Sequence, residues 1–154
     1  MKAWARHLGT GGLGLFPVYV PDSGGIKGIH AWKNRKEDGT PSLIVSVNEA
    51  TVEFGTIKMP PRAVAVHPSP GAGVAVGWKS PVAGRVKIRG RVTDADNVCG
   101  DGVEWTLAHR SVELARGAIP NGGGQALPER ELDVAVGDLV ELAILPKKEY
   151  TCDT

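Results

Sequence analysis

Short runs of β-branched and other apolar residues recur along this chain from residue 42, and they constrain its fold more than any other feature. Glycine, proline and other turn residues separate the runs, which follow one another at intervals of about 8 to 12 residues. The runs are SLIVSVN, TVEFGTI, AVAVHP, VAVGW, GRVKIRGRV, VEWTLAH, ELDVAV and LVELAIL. Short strands at this spacing are typical of an all-β sandwich or barrel. We therefore predict an antiparallel β-sandwich, and more narrowly a jelly roll.

The first 40 residues differ from the remainder in composition. Residues 1–40 are rich in glycine and proline and show weak hydrophobic periodicity. This pattern predicts an irregular arm that packs on the sandwich and contains one short strand at LFPVYV. The sandwich itself is predicted over residues 41–154. A chain of 154 residues is long enough to bury one core of this kind.

Charge and motifs exclude several classes of function. A formal net charge of +1 gives no reason to expect nucleic-acid binding. No apolar run reaches the roughly 20 residues that a membrane-spanning helix needs, and the first residues lack the apolar segment of a secretory signal. The motifs G-x-S-x-G, H-E-x-x-H and C-x-x-C are absent, and the four histidines are scattered. We therefore expect neither enzyme activity nor insertion into a membrane.

Residues 84–92 show the strictest alternation of apolar and polar side chains. In one strand, the polar side would carry four cations about 6.8 Å apart. We call these four residues the basic row: Arg85, Lys87, Arg89 and Arg91. Two interpretations are open. The row is either a solvated outer face or a site for the sulfates or carboxylates of an anionic polysaccharide. In the first case, acidic residues of adjacent strands would neutralise it, and the candidates are Glu104, Glu131, Asp133 and Glu141.

Residues 93–105, with the sequence TDADNVCGDGVEW, form an unusually acidic loop. We predict that this loop joins two adjacent antiparallel strands at residues 84–93 and 103–111, with Arg91 facing Glu104. Its aspartates either form hydrogen-bonded Asx turns or bind calcium, which prefers six to eight oxygen ligands. The spacing is not that of an EF-hand, because Cys99 stands where the glycine belongs. A catalytic carboxylate pair is disfavoured, because it needs carboxyls about 5 to 9.5 Å apart across a cleft.

Few aromatic residues are available to stack on a sugar ring. Trp105 shares a strand face with Val103 and Leu107, so we predict that it lies in the core. Trp78 follows an apolar run, and the same interpretation applies to it. Trp32 lies in the polar stretch HAWKNRKEDG and is the best candidate for an exposed aromatic platform, with burial under the N-terminal arm as the alternative.

Several motifs together resemble a known type of bacterial surface module. The motifs are AWKNRKEDGTPSLIVSVN, MPPRAVAVHPSP, VGWKSPVAGRV, CGDGVEWTLAH, LDVAVGDLVELAILP and the final CDT. They resemble galactose-binding-like jelly rolls, a fold that many carbohydrate-binding modules use. More narrowly, they look like the module embedded in planctomycete surface proteins that contain a cytochrome c domain. The resemblance covers residues 30–154.

The resemblance implies an exported, periplasmic or cell-surface protein whose partners are a polysaccharide and the other domains of a parent protein. It brings no haem to this chain, because the C-x-x-C-H attachment motif is absent. It also implies a Cys99–Cys152 disulfide, which would close a loop of about 50 residues and add about 3 to 4 kcal/mol of stability. The alternative is two buried thiols. Such a bridge would bring Asp153 to the acidic loop, and the candidate calcium ligands are Asp94, Asp96, Asp101 and Asp153.

Two functional hypotheses follow from these observations. The first is a non-catalytic carbohydrate-binding module that targets a larger exported protein to polysaccharide, possibly an anionic or sulfated one. Its candidate contact residues are Trp32, Arg85, Lys87, Arg89 and Arg91. The second is a structural or protein-interaction module of a multidomain surface protein, without affinity for glycans.

Overall fold

The computed structural model describes residues 16–37 and 39–154. This part of the chain forms β-strands and one short 3-10 turn at Ser23–Gly25. It contains no helix that is long and apolar enough to cross a membrane. The strands are β1 (Val18–Val20), β2 (Ile29–Lys33), β3 (Ser42–Ser46), β4 (Val52–Phe54), β5 (Ile57–Met59), β6 (Val64–His67), β7 (Val74–Lys79), β8 (Gly84–Ile88), β9 (Arg91–Thr93), β10 (Val103–His109), β11 (Val112–Ile119), β12 (Gly124–Ala126), β13 (Arg130–Val134) and β14 (Leu139–Pro146).

Two four-stranded antiparallel sheets form the body of the molecule. The first sheet has the order β1-β2-β3-β6, and the second has the order β11-β10-β14-β7. Three two-stranded ribbons accompany them: β4 with β5, β8 with β13, and β9 with β12. The predicted all-β antiparallel sandwich is therefore confirmed, whereas its assignment as a jelly roll stays a prediction.

The main core lies between the two sheets. Leu43 and Val45 of β3 pack in one cluster with Trp105 and Leu107 of β10 and Ile144 of β14. The predicted burial of Trp105 is confirmed, since only 1% of its surface is exposed. Alternate residues of each strand supply this cluster, as expected when one face of each sheet is buried against the other.

Strand β3 is buried on both faces. Ile44 points away from the main core and packs with Ile29, Ala31 and Met59 in a second cluster. Val52 and Ile57 of the β4–β5 hairpin also pack on this cluster. The hairpin therefore adds a third layer over part of the first sheet, which accounts for the nearly continuous apolar run SLIVS.

The predicted pairing around the acidic loop is wrong. Residues 84–93 form two strands instead of one, and β8 pairs with β13 while β9 pairs with β12. Strand β10 instead pairs with β11 and β14 in the second sheet. The break falls at Gly90, whose carbonyl accepts a hydrogen bond from the Leu127 amide at 2.9 Å. Arg91 and Glu104 therefore do not face each other, and the acidic loop crosses from a ribbon to a sheet.

The segment before residue 41 contributes strands to the first sheet. Strand β1 confirms the short strand predicted at LFPVYV, whereas β2 was not predicted. Strand β2 pairs with both β1 and β3, so Val18–Val20 and Ile29–Lys33 belong to the first sheet. The sequence pattern missed β2 because it is only five residues long and lies between polar, glycine-containing segments. Residues 1–15 of the predicted arm lie outside the described residues, and the division into arm and sandwich stays a prediction.

Candidate functional site

A disulfide joins the acidic loop to the last residues of the chain. Cys99 and Cys152 are bonded, with their Cα atoms 5.4 Å apart, which confirms the implied pairing. Beside the bridge, Gly100 adopts a φ of +94°. A Cβ at this position would lie 2.7 Å from both Asp153 Oδ1 and the Thr151 carbonyl. Only glycine fits here without strain, and its lack of a side chain lets Asp153 pack directly against the loop.

Asp94 and Asp96 hold the acidic loop in shape. Asp94 Oδ1 accepts a hydrogen bond from the Asp96 amide at 3.2 Å, and its Oδ2 accepts one from the Gly122 amide at 3.0 Å. Asp96 accepts hydrogen bonds from the Thr56 hydroxyl and from the Val98 amide. Both carboxylates are buried and make the bonds expected of Asx turns.

Asp101 and Asp153 have oxygens that remain free. Asp153 is fully buried, and neither of its carboxylate oxygens has a hydrogen-bond partner in the described part of the chain. The same is true of Asp101 Oδ1, whereas Asp101 Oδ2 accepts a bond from the Lys148 amide at 3.2 Å. Buried carboxylate oxygens are seldom left unpaired, so these atoms indicate a site for a proton or a cation.

The electrostatics of Asp153 agree with this geometry. Burial, followed by the charges of Asp101 and Asp94, raises the pKa of Asp153 to about 6. The Gly102 amide, which lies near the carboxylate without meeting hydrogen-bond geometry, and the charge of Lys147 oppose the rise only in part. Lys147 donates hydrogen bonds of 2.8 Å to the carbonyls of Asp101 and Ile119, not to a carboxylate. Burial, together with like charges at close range, therefore disfavours ionisation of Asp153.

The four predicted calcium ligands lie together but are not equivalent. Asp94 and Asp96 already accept hydrogen bonds from inside the loop and from Gly122 and Thr56 outside it, so among the four predicted ligands the unpaired oxygens lie on Asp101 and Asp153. No three His, Cys, Asp or Glu side chains in residues 16–37 and 39–154 are arranged to hold a metal ion. A cation at this cluster would need main-chain carbonyls or water molecules in addition to these two carboxylates.

His67 and Thr154, which were not predicted from the sequence, also lie beside the acidic loop. His67 Nδ1 lies 2.6 Å from the Thr154 hydroxyl, and the Thr154 carbonyl accepts a bond from the Ala95 amide. Burial lowers the pKa of His67, although the charge of Asp96 acts in the opposite direction. His67 lies 87 residues from Thr154 in sequence, so no local pattern links the two.

Acidic partners from the neighbouring strand neutralise most of the basic row. Arg85 Nε lies 3.3 Å from Asp133 Oδ1, and its Nη1 lies 3.9 Å from Glu131. Lys87 and Arg89 both pair with Glu129, which was not among the predicted partners. Of the acids predicted to neutralise the row, Glu131 and Asp133 do so, because β8 pairs with β13. The two on β10 and β14, Glu104 and Glu141, lie in the second sheet.

Arg91 differs from the other members of the basic row. It makes no ion pair within the described residues, and its guanidinium lies over Gly124. A Cβ on that glycine would be 2.8 Å from Nη2 of Arg91. Arg91 also lines a partly open cavity with largely apolar walls, so its charge is available at the edge of an apolar space.

The exposed aromatic surface lies at the edge of the first sheet. Trp32 is half-buried and packs against the main core, so it is less accessible than the predicted platform. Its ring centroid lies 5.1 Å from that of Tyr19, which is 48% exposed on edge strand β1. Tyr19 also stacks on His30, and its hydroxyl lies 2.7 Å from His30 Nδ1. Tyr19 was not singled out from the sequence as a binding residue.

Trp78 does not belong to the buried core as predicted. It is 36% exposed, because it lies near the end of β7, the edge strand of the second sheet. An apolar run shows that a strand exists but does not show whether the strand is central or at an edge.

A cavity of about 680 Å³ lies between the sheets and next to the acidic loop. Its walls are largely aliphatic and include Val66, Val76, Val92, Val103, Leu142 and Ile144. Its exposed lining residues include Lys58, Arg91, Thr93 and Asn97, so the cavity opens through a polar rim. The cavity could not be predicted from the sequence, because its volume depends on how far apart the sheets lie.

Comparison with family models, with curated proteins and with solved structures gave no match.

Proposed function

We propose that this chain is a non-catalytic carbohydrate-binding module that targets a larger exported protein to polysaccharide. The observation that carries the proposal is the Tyr19–Trp32 aromatic pair at the edge of the first sheet. Tyr19 offers a ring that is apolar on its face and polar at its hydroxyl, a combination suited to a ligand with both C–H faces and hydroxyls. The bond between Tyr19 and His30 fixes the orientation of the ring before a ligand arrives.

Two further observations support an exported module. The Cys99–Cys152 disulfide is compatible with an oxidising compartment, where such bonds persist. The resemblance to galactose-binding-like jelly rolls of planctomycete surface proteins has the same implication. In this proposal, the other domains of the parent protein carry any haem, and this chain supplies attachment to glycan.

The charges favour a neutral glycan over an anionic one. Arg85, Lys87 and Arg89 have carboxylate partners, so an anionic polysaccharide would have to displace those carboxylates before binding to the row. Exposed ion pairs of this kind are weak, about 0 to 1 kcal/mol each. Exchanging one such pair for a similar pair with an anionic glycan would therefore cost little and add little binding free energy. Arg91 alone would add a specific contact for a sulfate or carboxylate.

Affinity electrophoresis against neutral and anionic polysaccharides tests this proposal. Retardation by a neutral polysaccharide that does not weaken with salt would support binding through Tyr19. Retardation by a sulfated polysaccharide that weakens with salt would move the site to the basic row, because exposed ionic contacts are screened. If no member of a broad panel retards the protein, the proposal fails.

We propose further that calcium binds at Asp101 and Asp153 and stabilises the acidic loop. The free buried oxygens of these two carboxylates support the proposal. Calcium at 100 times its Kd should raise the free energy of unfolding by about 2.7 kcal/mol. Thermal unfolding with calcium, magnesium or EDTA measures the shift. Asp153→Asn should abolish it and Asp133→Asn, on exposed β13, should preserve it. A calcium shift retained by Asp153→Asn would refute this site.

A second candidate function is a structural or protein-interaction module. Three exposed apolar residues at one end of the second sheet favour it: Trp78, Val82 and Val136 are 36%, 49% and 69% exposed. The Gly137 amide donates a hydrogen bond to the Ser80 carbonyl, and the Ser80 amide donates one to the Asp138 carbonyl, so the segments that carry the two valines lie side by side. Binding to other domains of the parent protein, lost in Val136→Asp but retained in Tyr19→Ala, would support this function over glycan binding.

A further inference from the structure

We propose that the cavity between the sheets binds an amphiphile with an aliphatic chain and a carboxylate head group. The chain would lie among the aliphatic walls, and the carboxylate would pair with Arg91 at the rim. This site is separate from Tyr19, so the proposal goes beyond glycan binding and does not depend on it.

The size and lining of the cavity suit a small-molecule ligand. Protein interiors are close-packed and contain few voids larger than a water molecule. A volume of about 680 Å³ is far larger than such voids, and it falls within the range of about 300 to 1,000 Å³ that is usual for ligand sites. Water would find few hydrogen-bond partners along walls made of Val76, Val92 and Leu142, and apolar cavities tend to bind apolar molecules instead.

The aliphatic side chains of the cavity walls favour a ligand with a hydrocarbon chain. Within the described part of the chain, the lining residues include no Phe, Trp or Tyr. The walls therefore provide no ring on which a sugar or a flat aromatic ligand could stack. Branched aliphatic side chains instead offer dispersion contacts along the length of a flexible chain.

The charged side chains at the rim of the cavity favour a ligand with a carboxylate. Arg91 has no ion-pair partner in residues 16–37 and 39–154, and its position over Gly124 keeps it at the cavity. Asp94 is the one acid among the described lining residues, and its two oxygens already accept bonds from the amides of Asp96 and Gly122. The guanidinium is thus free to bind a planar anion through two parallel hydrogen bonds. Lys58 also lies at the rim, but its ammonium is 3.3 Å from Glu53 Oε1, so Arg91 is the better-placed partner for a carboxylate.

Isothermal titration calorimetry of the full chain with three 12-carbon probes tests the proposal. The probes are dodecanoate, dodecanol and dodecyltrimethylammonium, each below its micelle concentration. We expect dodecanoate to bind at least about tenfold more tightly than the other two, since a charged hydrogen bond at this strength changes affinity by about ten- to a hundredfold. No binding of dodecanoate, or equal binding of all three probes, would overturn the proposal.

Two matched arginine variants test whether the carboxylate head group binds to Arg91. Arg91→Ala should weaken dodecanoate binding about tenfold or more and leave dodecanol binding unchanged. Arg89→Ala removes an exposed arginine that pairs with Glu129, and it should change neither affinity. Equal losses in both variants would show a general charge effect and would overturn the assignment to Arg91.

Methyl NMR shows where the chain binds. Dodecanoate should shift the methyl resonances of Val76, Val92 and Leu142 in the cavity and leave those of exposed Val112 unchanged. Because Arg91 is exposed, its replacement by alanine should not unfold the protein, and the same spectra verify that the variant is folded. Shifts confined to exposed methyl groups would show binding to the surface and would contradict the proposal.

Discussion

At the scale of single residues, the surroundings of Asp153 disfavour the charged form of its carboxyl group. Its pKa rises from 3.8 to about 6 because of burial and the neighbouring charges of Asp101 and Asp94. Between these two pH values the folded protein holds the proton more tightly than the unfolded chain does. The contribution of protonated Asp153 to the free energy of unfolding is therefore fully present below about pH 4 and is lost as the pH rises through 6.

We expect the free energy of unfolding in EDTA to fall between pH 4 and pH 7 by about 2 kcal/mol through Asp153, after some screening by water. Denaturant unfolding of the wild type and of Asp153→Asn over this range measures the contribution as a difference. The variant should be the more stable protein at pH 7. Half-buried His67 acts with the opposite sign, because its lowered pKa reduces stability as the pH falls below 6.5, and taking the difference between the two proteins cancels this effect. Parallel pH curves for the two proteins would contradict the account.

Gly100 is the residue that allows Asp153 to pack against the acidic loop. Gly100→Ala would place a Cβ 2.7 Å from Asp153 Oδ1 at a φ of +94°, which combines a clash with backbone strain. We expect a loss of about 2 to 4 kcal/mol in the free energy of unfolding.

Gly71 is the matched control for this substitution. It also has a positive φ, +74°, but a Cβ there meets no atom within 4 Å. Gly71→Ala should therefore cost only the backbone strain, about 1 kcal/mol. Urea unfolding of both variants compares the two costs, and equal losses would show that the contact with Asp153 is unimportant.

At the scale of structural elements, the disulfide connects two segments that share no strand pairing. It spans 53 residues and joins the acidic loop to the C-terminal segment. Replacing both Cys99 and Cys152 with alanine should lower the free energy of unfolding by about 4 kcal/mol in the chain-entropy model. Guanidinium unfolding measures the loss, and reduction of the wild type should reproduce it. A loss below about 1 kcal/mol would mean that strand packing already holds the segments together.

Periodicity predicted which residues form strands much better than it predicted how strands pair. The alternation of Arg85 and Val86 gave the correct faces of β8, because alternation is a local property of a strand. The partner of each strand depends on contacts distant in sequence, and the break at Gly90 depends on Leu127. Strand β3 is a nearly continuous apolar run because both of its faces are covered, and only the three-dimensional structure shows this.

At the scale of the whole molecule, the acidic loop and the last residues of the chain meet as the resemblance implied. The sequence predicted that Asp94, Asp96 and Asp101 would lie near one another because they share one loop. It did not predict which oxygens would be free, because that depends on partners such as Thr56 and Gly122. The cavity was also unpredictable, since it arises from the separation of two complete sheets.

The most direct test of glycan binding is affinity electrophoresis of the wild type, Tyr19→Ala and Tyr150→Ala against a neutral polysaccharide that retards the wild type. Tyr150 is the matched control, because it is 36% exposed and lies outside the aromatic pair. Loss of one stacking aromatic at about 1 to 1.5 kcal/mol should weaken binding about fivefold to tenfold in Tyr19→Ala. Tyr150→Ala should migrate as the wild type does. Unchanged retardation of Tyr19→Ala would contradict the proposed binding surface.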